Sequence, residues 1–132
     1  MALEKIMLSM PQVEIPITHT FADGMYARTA FIKKGTAMTG AIHLQETLQI
    51  MVSGRVSVAT DREDARELSG FNIMVSPPGT KRAGVALEDT IWVTIIRTDE
   101  TDPETIVAKL TTNDYAHLAT HDTAQLNNQE ER

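Results

Sequence analysis

The chain has 132 residues, of which 42% are hydrophobic and 23% charged, a balance typical of one soluble globular domain. Its net charge of −6, without any lysine- or arginine-rich run, argues against broad binding of nucleic acids or anionic membranes, because both need a dense positive surface. The absence of cysteine excludes disulfides and thiolate chemistry, and no apolar run reaches the ~20 residues that span a bilayer.

Residues 1–19 are predicted to form an N-terminal arm. Two prolines exclude a continuous helix there, and the apolar residues alternate with polar or proline positions as in an edge strand. Because the prolines limit pairing within the chain, we expect the arm to join the sheet edge of a second copy in a homo-oligomer. The alternative is that the arm folds back on its own domain. The expected oligomer contacts are Val13, Ile15 and Ile17.

Residues 20–98 carry a series of short β-rich runs separated by turn residues. Ser53-Gly54 joins two of these runs without a gap, which predicts a β-hairpin. The charged residues 61–69 are predicted to be a connection without regular structure. This spacing of strands indicates a sandwich or barrel. The predicted strands are residues 26–32, 36–43 with a break at Gly40, 47–52, 55–60, 71–75, 84–87 and 90–98.

Residues 99–132 are predicted to form a helical and polar C-terminal tail. Asp102-Pro103-Glu104 is typical of a helix start, because proline suits the first turn and acidic side chains favour the positive end of the helix dipole. The pattern predicts one helix over residues 102–110 and a second over residues 114–126.

Two motifs link the predicted strands. Gly40 and Gly54 bracket a segment that contains His43, and Ser76-Pro77-Pro78-Gly79-Thr80-Lys81-Arg82 follows about 20 residues later. The chain therefore resembles the cupin superfamily, and its sequence is similar to those of short uncharacterised cupin-like proteins of tailed bacteriophages. The resemblance implies a mainly β, single-domain cupin-like β-barrel (a double-stranded β-helix) with an extended N-terminal arm and a short C-terminal helical tail.

The positions that hold a metal in many cupins carry other side chains in this sequence. By the resemblance, the ligands would fall at His43, Gln45, Gln49 (or Glu46) and Arg82. Glutamine is a weak ligand and arginine repels a cation, so we expect no metal and no cofactor. The same four residues, His43, Gln45, Gln49 and Arg82, are instead predicted to line a cavity for a small anionic or polar ligand. The alternatives are that His43 is a hydrogen-bonded core residue and that Arg82 pairs with Glu46 or another local carboxylate.

Three functions follow from these observations. The first is a non-enzymatic, phage-type structural or interaction protein that uses the barrel as an assembly module, with a phage or host protein as partner. The second is a module that binds a small anion, acting against a host pathway. The third is a metal-dependent cupin enzyme with a non-standard ligand set. A short apolar stretch that carries Glu4 does not suit a signal peptide, so we expect the protein in the host cytoplasm or the virion. Assembly predicts a closed barrel interior, and ligand binding predicts an open cavity.

Overall fold

The computed structural model describes residues 14–112 of the chain. This part is mainly β, as the sequence predicts. None of its helical segments has the length and apolarity needed to cross a bilayer. Its elements are β1 (Ile17–Ala22), β2 (Met25–Ile32), β3 (Ala37–Thr39), β4 (Ile42–His43), β5 (Thr47–Ser53), β6 (Arg55–Thr60), β7 (Arg66–Ser69), β8 (Asn72–Ser76), β9 (Arg82–Ala86), β10 (Thr90–Arg97), α1 (Pro103–Leu110) and β11 (Thr111–Thr112).

Two antiparallel sheets face each other. The first has the order β1-β2-β10-β5-β8, the second has the order β3-β9-β6-β7, and β4 pairs with β11 in a small third sheet. Inward-facing side chains of both large sheets meet in the core, as where Met51 of β5 packs with Val56 and Val58 of β6. Because every second strand residue points inward, the alternating burial in β5 places Thr47, Gln49 and Met51 on the core side.

The hairpin predicted at Ser53-Gly54 is present between β5 and β6. Gly54 has a φ of +111°, a region that favours glycine because a side chain there is strained. Its backbone approaches Asp89 and Thr90 closely, and the Thr90 hydroxyl accepts a hydrogen bond from the Arg55 amide at 3.3 Å. The turn therefore ties the β5–β6 hairpin to the start of β10.

The first strand begins inside the predicted arm. Ile17 starts β1, which pairs with β2 of its own chain from Ile17↔Ala30 to Ala22↔Met25, so the sheet begins three residues before the predicted boundary at residue 20. Ile15 and Ile17 pack against the cluster formed by Ala30, Ile32 and Ala86. For these two residues the structure shows the arm folded back on its own domain, while Val13 lies outside the described residues.

One further segment differs from the sequence prediction. The charged connection 61–69 contains a strand, β7, which pairs with β6 through Val56↔Leu68 and its neighbours. The predicted helix over 102–110 is present as α1, and its apolar face packs on the barrel. Its buried Ile106 contacts Tyr26 and Ile96. The predicted second helix, residues 114–126, lies outside the described residues.

Candidate functional site

The two large sheets enclose a cavity of about 350 Å³. Both sheets contribute to its wall, because strand alternation sends every second residue inward. Ile106 and Val107 of α1 and Thr111 of β11 also line it. This volume falls within the range of small-molecule pockets, so the barrel interior is open enough to hold a ligand.

The cavity changes from apolar to polar along the strands. Register pairs Ala30 with Trp92 in one row of the first sheet, and pairs Arg28 with Thr94 two residues further along. Two residues of strand correspond to about 6.8 Å. The apolar end is lined by Ala30, Ile32, Met38, Val56 and Trp92, and the more polar end by Tyr26, Arg28, His43, Ser76, Thr80 and Arg82 together with the apolar Ile96 and Ile106, which pack on Tyr26.

Arg82 lies at the polar end, at the first position of β9 after the Pro77-Pro78-Gly79 turn. Its Nη1 lies 3.4 Å from the Ser76 hydroxyl, to which it donates a weak hydrogen bond, and it forms no ion pair with a carboxylate of residues 14–112. Burial lowers the pKa of Arg82, while the nearby Glu63 carboxylate raises it and Arg66 lowers it further. A half-buried guanidinium with so few partners has donors left for an anion.

Arg28 is a second cation of the cavity wall, and the sequence analysis missed it. It lies on β2 between Tyr26 and Ala30, which are both buried, so it shares their inward face. The alternation of inward and outward residues along the strand could have indicated this position. In all other respects the sequence around Arg28 is that of an ordinary solvent-exposed arginine. No aspartate or glutamate among the described residues lines the cavity. Its charge is therefore positive, although the whole chain is acidic.

Gln49 lines the cavity but is held by its own protein. Its side chain is 4% exposed, and its Oε1 accepts hydrogen bonds from Trp92 Nε1 at 2.6 Å and from Thr94 Oγ1 at 3.0 Å. Its Nε2 donates to Thr47 Oγ1 at 2.9 Å. Because an indole N–H only donates, the atom beside Trp92 must be the amide oxygen. Both lone pairs of that oxygen are occupied, so Gln49 fixes three strand positions instead of presenting an acceptor to a ligand.

His43 and Gln45 have different positions. His43 lines the cavity from β4, opposite Thr111 in register, and its carbonyl accepts a hydrogen bond from the Gly79 amide at 2.9 Å. Gln45 follows in the loop before β5 and does not line the cavity. The structure therefore brings together three of the four predicted ligand-binding residues, His43, Gln49 and Arg82.

The donor set of this site does not fit the metal that cupins commonly hold. Gln49 has its oxygen engaged, Gln45 does not line the cavity, and Arg82 is a permanent cation. Only His43 among these positions offers an imidazole. No group of three or more histidine, aspartate or glutamate side chains suited to a metal ion occurs in residues 14–112.

Replacing Gln49 by leucine is expected to lower the free energy of unfolding by about 2–4 kcal/mol, because buried donors of Trp92 and Thr94 lose their acceptor at about 1–3 kcal/mol each. Gln45→Leu is the matched control, since the buried Oε1 of Gln45 has no hydrogen-bond partner in the described residues. Urea unfolding measures both. Equal losses for the two variants would contradict the assigned role of Gln49.

No family model matches the sequence, and no curated protein matches it either. Solved structures do match the fold. KdgF from Halomonas sp. aligns with a TM-score of 0.57 at 19% identity, covering 72% of this chain and 88% of that one. An RmlC-like cupin from Shewanella frigidimarina aligns at 0.55 and 17% identity, covering 71% and 89%. A double-stranded β-helix protein from Klebsiella pneumoniae aligns at 0.57 and 12%, covering 70% and 84%. At these identities the comparisons show that the chain has the cupin fold.

Proposed function

We propose that this protein binds a small organic anion with an apolar body inside its barrel. One observation carries the proposal: the cavity wall contains two arginines, no carboxylate among the described residues, and an apolar end. A neutral apolar ligand would bury the Arg82 guanidinium further while its nearby carboxylate, Glu63, lies outside this cavity and forms no ion pair with it, which is unfavourable. A cation would meet two like charges. A carboxylate attached to an apolar group satisfies both ends of the cavity.

Arg82 is the anchor of this binding mode. Its planar guanidinium presents a fork of donors that matches the two oxygens of a carboxylate. The Ser76 hydroxyl lies on the same part of the wall and adds a neutral donor, whereas the Thr80 hydroxyl donates to the Pro77 carbonyl oxygen at 2.9 Å. Arg28 is more exposed and contributes mainly by attraction over a longer distance, screened by solvent. The anion is thus held at one end while its body extends towards Trp92.

The chemistry of the wall supports binding more than catalysis. Catalysis by proton transfer needs a group that titrates near neutral pH and is placed beside the reacting atom. His43 is the one imidazole in the described wall, and Gln49 occupies the position at which the resemblance would place a carboxylate. With Gln49 held by Trp92 and Thr94, no carboxylate among the described lining residues can act as an acid–base partner of His43. Burial raises the pKa of the Tyr26 hydroxyl, which is hydrogen-bonded to His19.

The test compares each carboxylate with its neutral amide. Octanoate and phenylacetate are titrated beside octanamide and phenylacetamide, and the unfolding temperature is followed by differential scanning fluorimetry. A ligand that binds only the folded state raises this temperature, by an amount worth about 2.7 kcal/mol at a hundred times its Kd. We expect the carboxylates to raise it and the amides to have a smaller effect. Amides that stabilise as strongly as their carboxylates would overturn the proposal.

An assembly role is the second candidate function. It is favoured by one observation, the large apolar side chains that remain exposed on and beside one sheet, among them Ile73 and Val75 of β8 and the adjoining Phe71. In this form the protein is a non-enzymatic, phage-type structural module in the virion or the host cytoplasm. The other support for this role is the resemblance of the amino-acid sequence to short phage proteins. The open cavity favours the ligand-binding role over it, because an assembly module needs only a closed interior.

A further inference from the structure

The outer face of the five-stranded sheet is apolar over three adjacent strands. The residues between the cavity-facing positions of β10, β5 and β8 point away from the core. Register aligns them in two rows, Val93–Ile50–Ile73 and Ile95–Leu48–Val75. We call these six residues the outer patch.

The outer patch is exposed most strongly at its β8 side. Ile73 is 57% exposed and Val75 is 61% exposed, and the adjoining Phe71 is 65% exposed. In β2 the rows continue with Thr29 and Ala27, so they carry no charge across four strands. Single exposed apolar residues are ordinary, but a contiguous uncharged set of this kind marks an interaction surface.

The area of this face suits a second sheet. A strand rise of about 3.4 Å and a strand spacing of about 4.8 Å give each outward residue a footprint of roughly 33 Å². About three outward positions on each of four strands then give roughly 400 Å² on one copy and 800 Å² on two. Side chains that protrude from the flat sheet add to this area. That total approaches the ~1,000 Å² that a specific interface needs.

The described ends of the chain do not lead onto this face. Ile15 lines the cavity and Ile17 packs against Ala30, so the N-terminal segment enters from the inner side. β1 forms the sheet edge opposite to β8, and α1 lies against the cavity. Two copies of a chain with a net charge of −6 repel each other. This electrostatic repulsion is weakest where an uncharged face of one copy meets an uncharged face of the other.

We propose that two copies of this chain form a homodimer by packing their outer patches face to face. A two-fold axis makes such a contact self-complementary, and two twisted sheets pack in this way with strand directions about 30° apart. The interface differs from the one predicted from the sequence, because it uses the sheet face and not the arm. It places both cavities on the outer sides of the dimer.

The test measures mass by size-exclusion chromatography with light scattering. We expect about 29 kDa for the wild type, twice the chain mass of 14.6 kDa. The double variant Ile73→Arg/Val75→Arg is expected to run as a monomer, because each substitution occurs twice in a symmetric contact. Ala65→Arg, which adds one arginine to an exposed loop, is expected to stay dimeric.

A second pair of substitutions protects the test against misfolding. Ile73→Thr/Val75→Thr keeps β-branched side chains and adds no charge, so the strand is retained while the dimer is expected to weaken at least about tenfold. Far-ultraviolet circular dichroism confirms the fold of each variant. A wild type that is monomeric at about 100 µM, or a folded arginine variant that stays dimeric, overturns the proposal. Loss of the dimer only on deletion of residues 1–13 would assign the contact to the arm.

Discussion

Replacing Arg82 by alanine is expected to weaken the binding of octanoate by roughly 10- to 100-fold. The variant loses a charge-assisted hydrogen bond worth about 1.5–3 kcal/mol, and each 1.4 kcal/mol corresponds to a tenfold change in Kd. Isothermal titration calorimetry measures this directly. Arg97→Ala is the matched control, because Arg97 is an exposed arginine that does not line the cavity, and its removal is expected to leave binding unchanged.

Two further measurements separate charge from packing. Binding of octanamide is expected to change much less in Arg82→Ala, since the amide carries no charge for the guanidinium to attract. Arg82→Lys keeps the charge but not the fork of donors, so its affinity for octanoate is expected to fall between the wild type and the alanine variant. If octanoate and octanamide lose affinity equally, Arg82 supports the shape of the cavity and does not anchor the anion.

Replacing Gly54 by alanine is expected to lower the free energy of unfolding by about 3 kcal/mol or more. The backbone there has a φ of +111°, and an added Cβ would lie 2.6 Å from the Asp89 carbonyl oxygen and 2.6 Å from Thr90 Cα, besides contacting the Thr90 hydroxyl. Strain and overpacking each cost about 1–3 kcal/mol. Thermal unfolding should show a midpoint lowered by about 10 °C or more.

Gly70→Ala is the control for the turn. Gly70 also has a positive φ, +71°, but an added Cβ would meet no atom within 4 Å. This variant carries backbone strain alone and is expected to lose about 1–2 kcal/mol. The difference between the two variants reports the close approach of the β5–β6 hairpin to β10 together with the less favourable φ at position 54. Equal losses would show that backbone conformation, and not contact with Asp89 and Thr90, limits position 54.

The main lines of the fold could be predicted because they rest on local chemistry. Gly54 and the Pro77-Pro78-Gly79 sequence restrict the backbone wherever they stand, so they mark turns without knowledge of the rest of the chain. β7 was not predicted because it is short and lies in a segment rich in charged residues. That strand is held by its pairing with β6, which is a tertiary contact and leaves little trace in composition.

The N-terminal boundary could not be predicted for a similar reason. Prolines show where a strand is difficult, but not which partner it finds. Ile17 pairs with Ala30, 13 residues away in the sequence, and packs beside Ala86, which is farther still. Apolar alternation was a correct signal for an edge strand, and β1 does form an edge of the sheet. Whether the arm also contacts a second copy stays a prediction for Val13, Ile15 and Ile17.

The candidate site was predictable in position and not in role. The spacing of the Pro77-Pro78-Gly79 turn placed Arg82 at the cavity, where it lies. The role of Gln49 depends on Trp92 and Thr94, which follow it by 43 and 45 residues and meet it only through the pairing of β5 with β10. Gln45 belongs to the same motif but falls in a loop, so its alternation with His43 does not carry it into the cavity.

The separation of the two ends of the cavity has a consequence for how this protein can evolve. Residues that choose the charge of a ligand, such as Arg82, stand on different positions from those that limit its length, such as Met38 and Ile32. Met38 pairs with Gly84, two residues along β9 from Arg82, so the two kinds of position can be substituted separately. A lineage of such barrels can therefore change ligand charge while keeping ligand size, or the reverse, one mutation at a time.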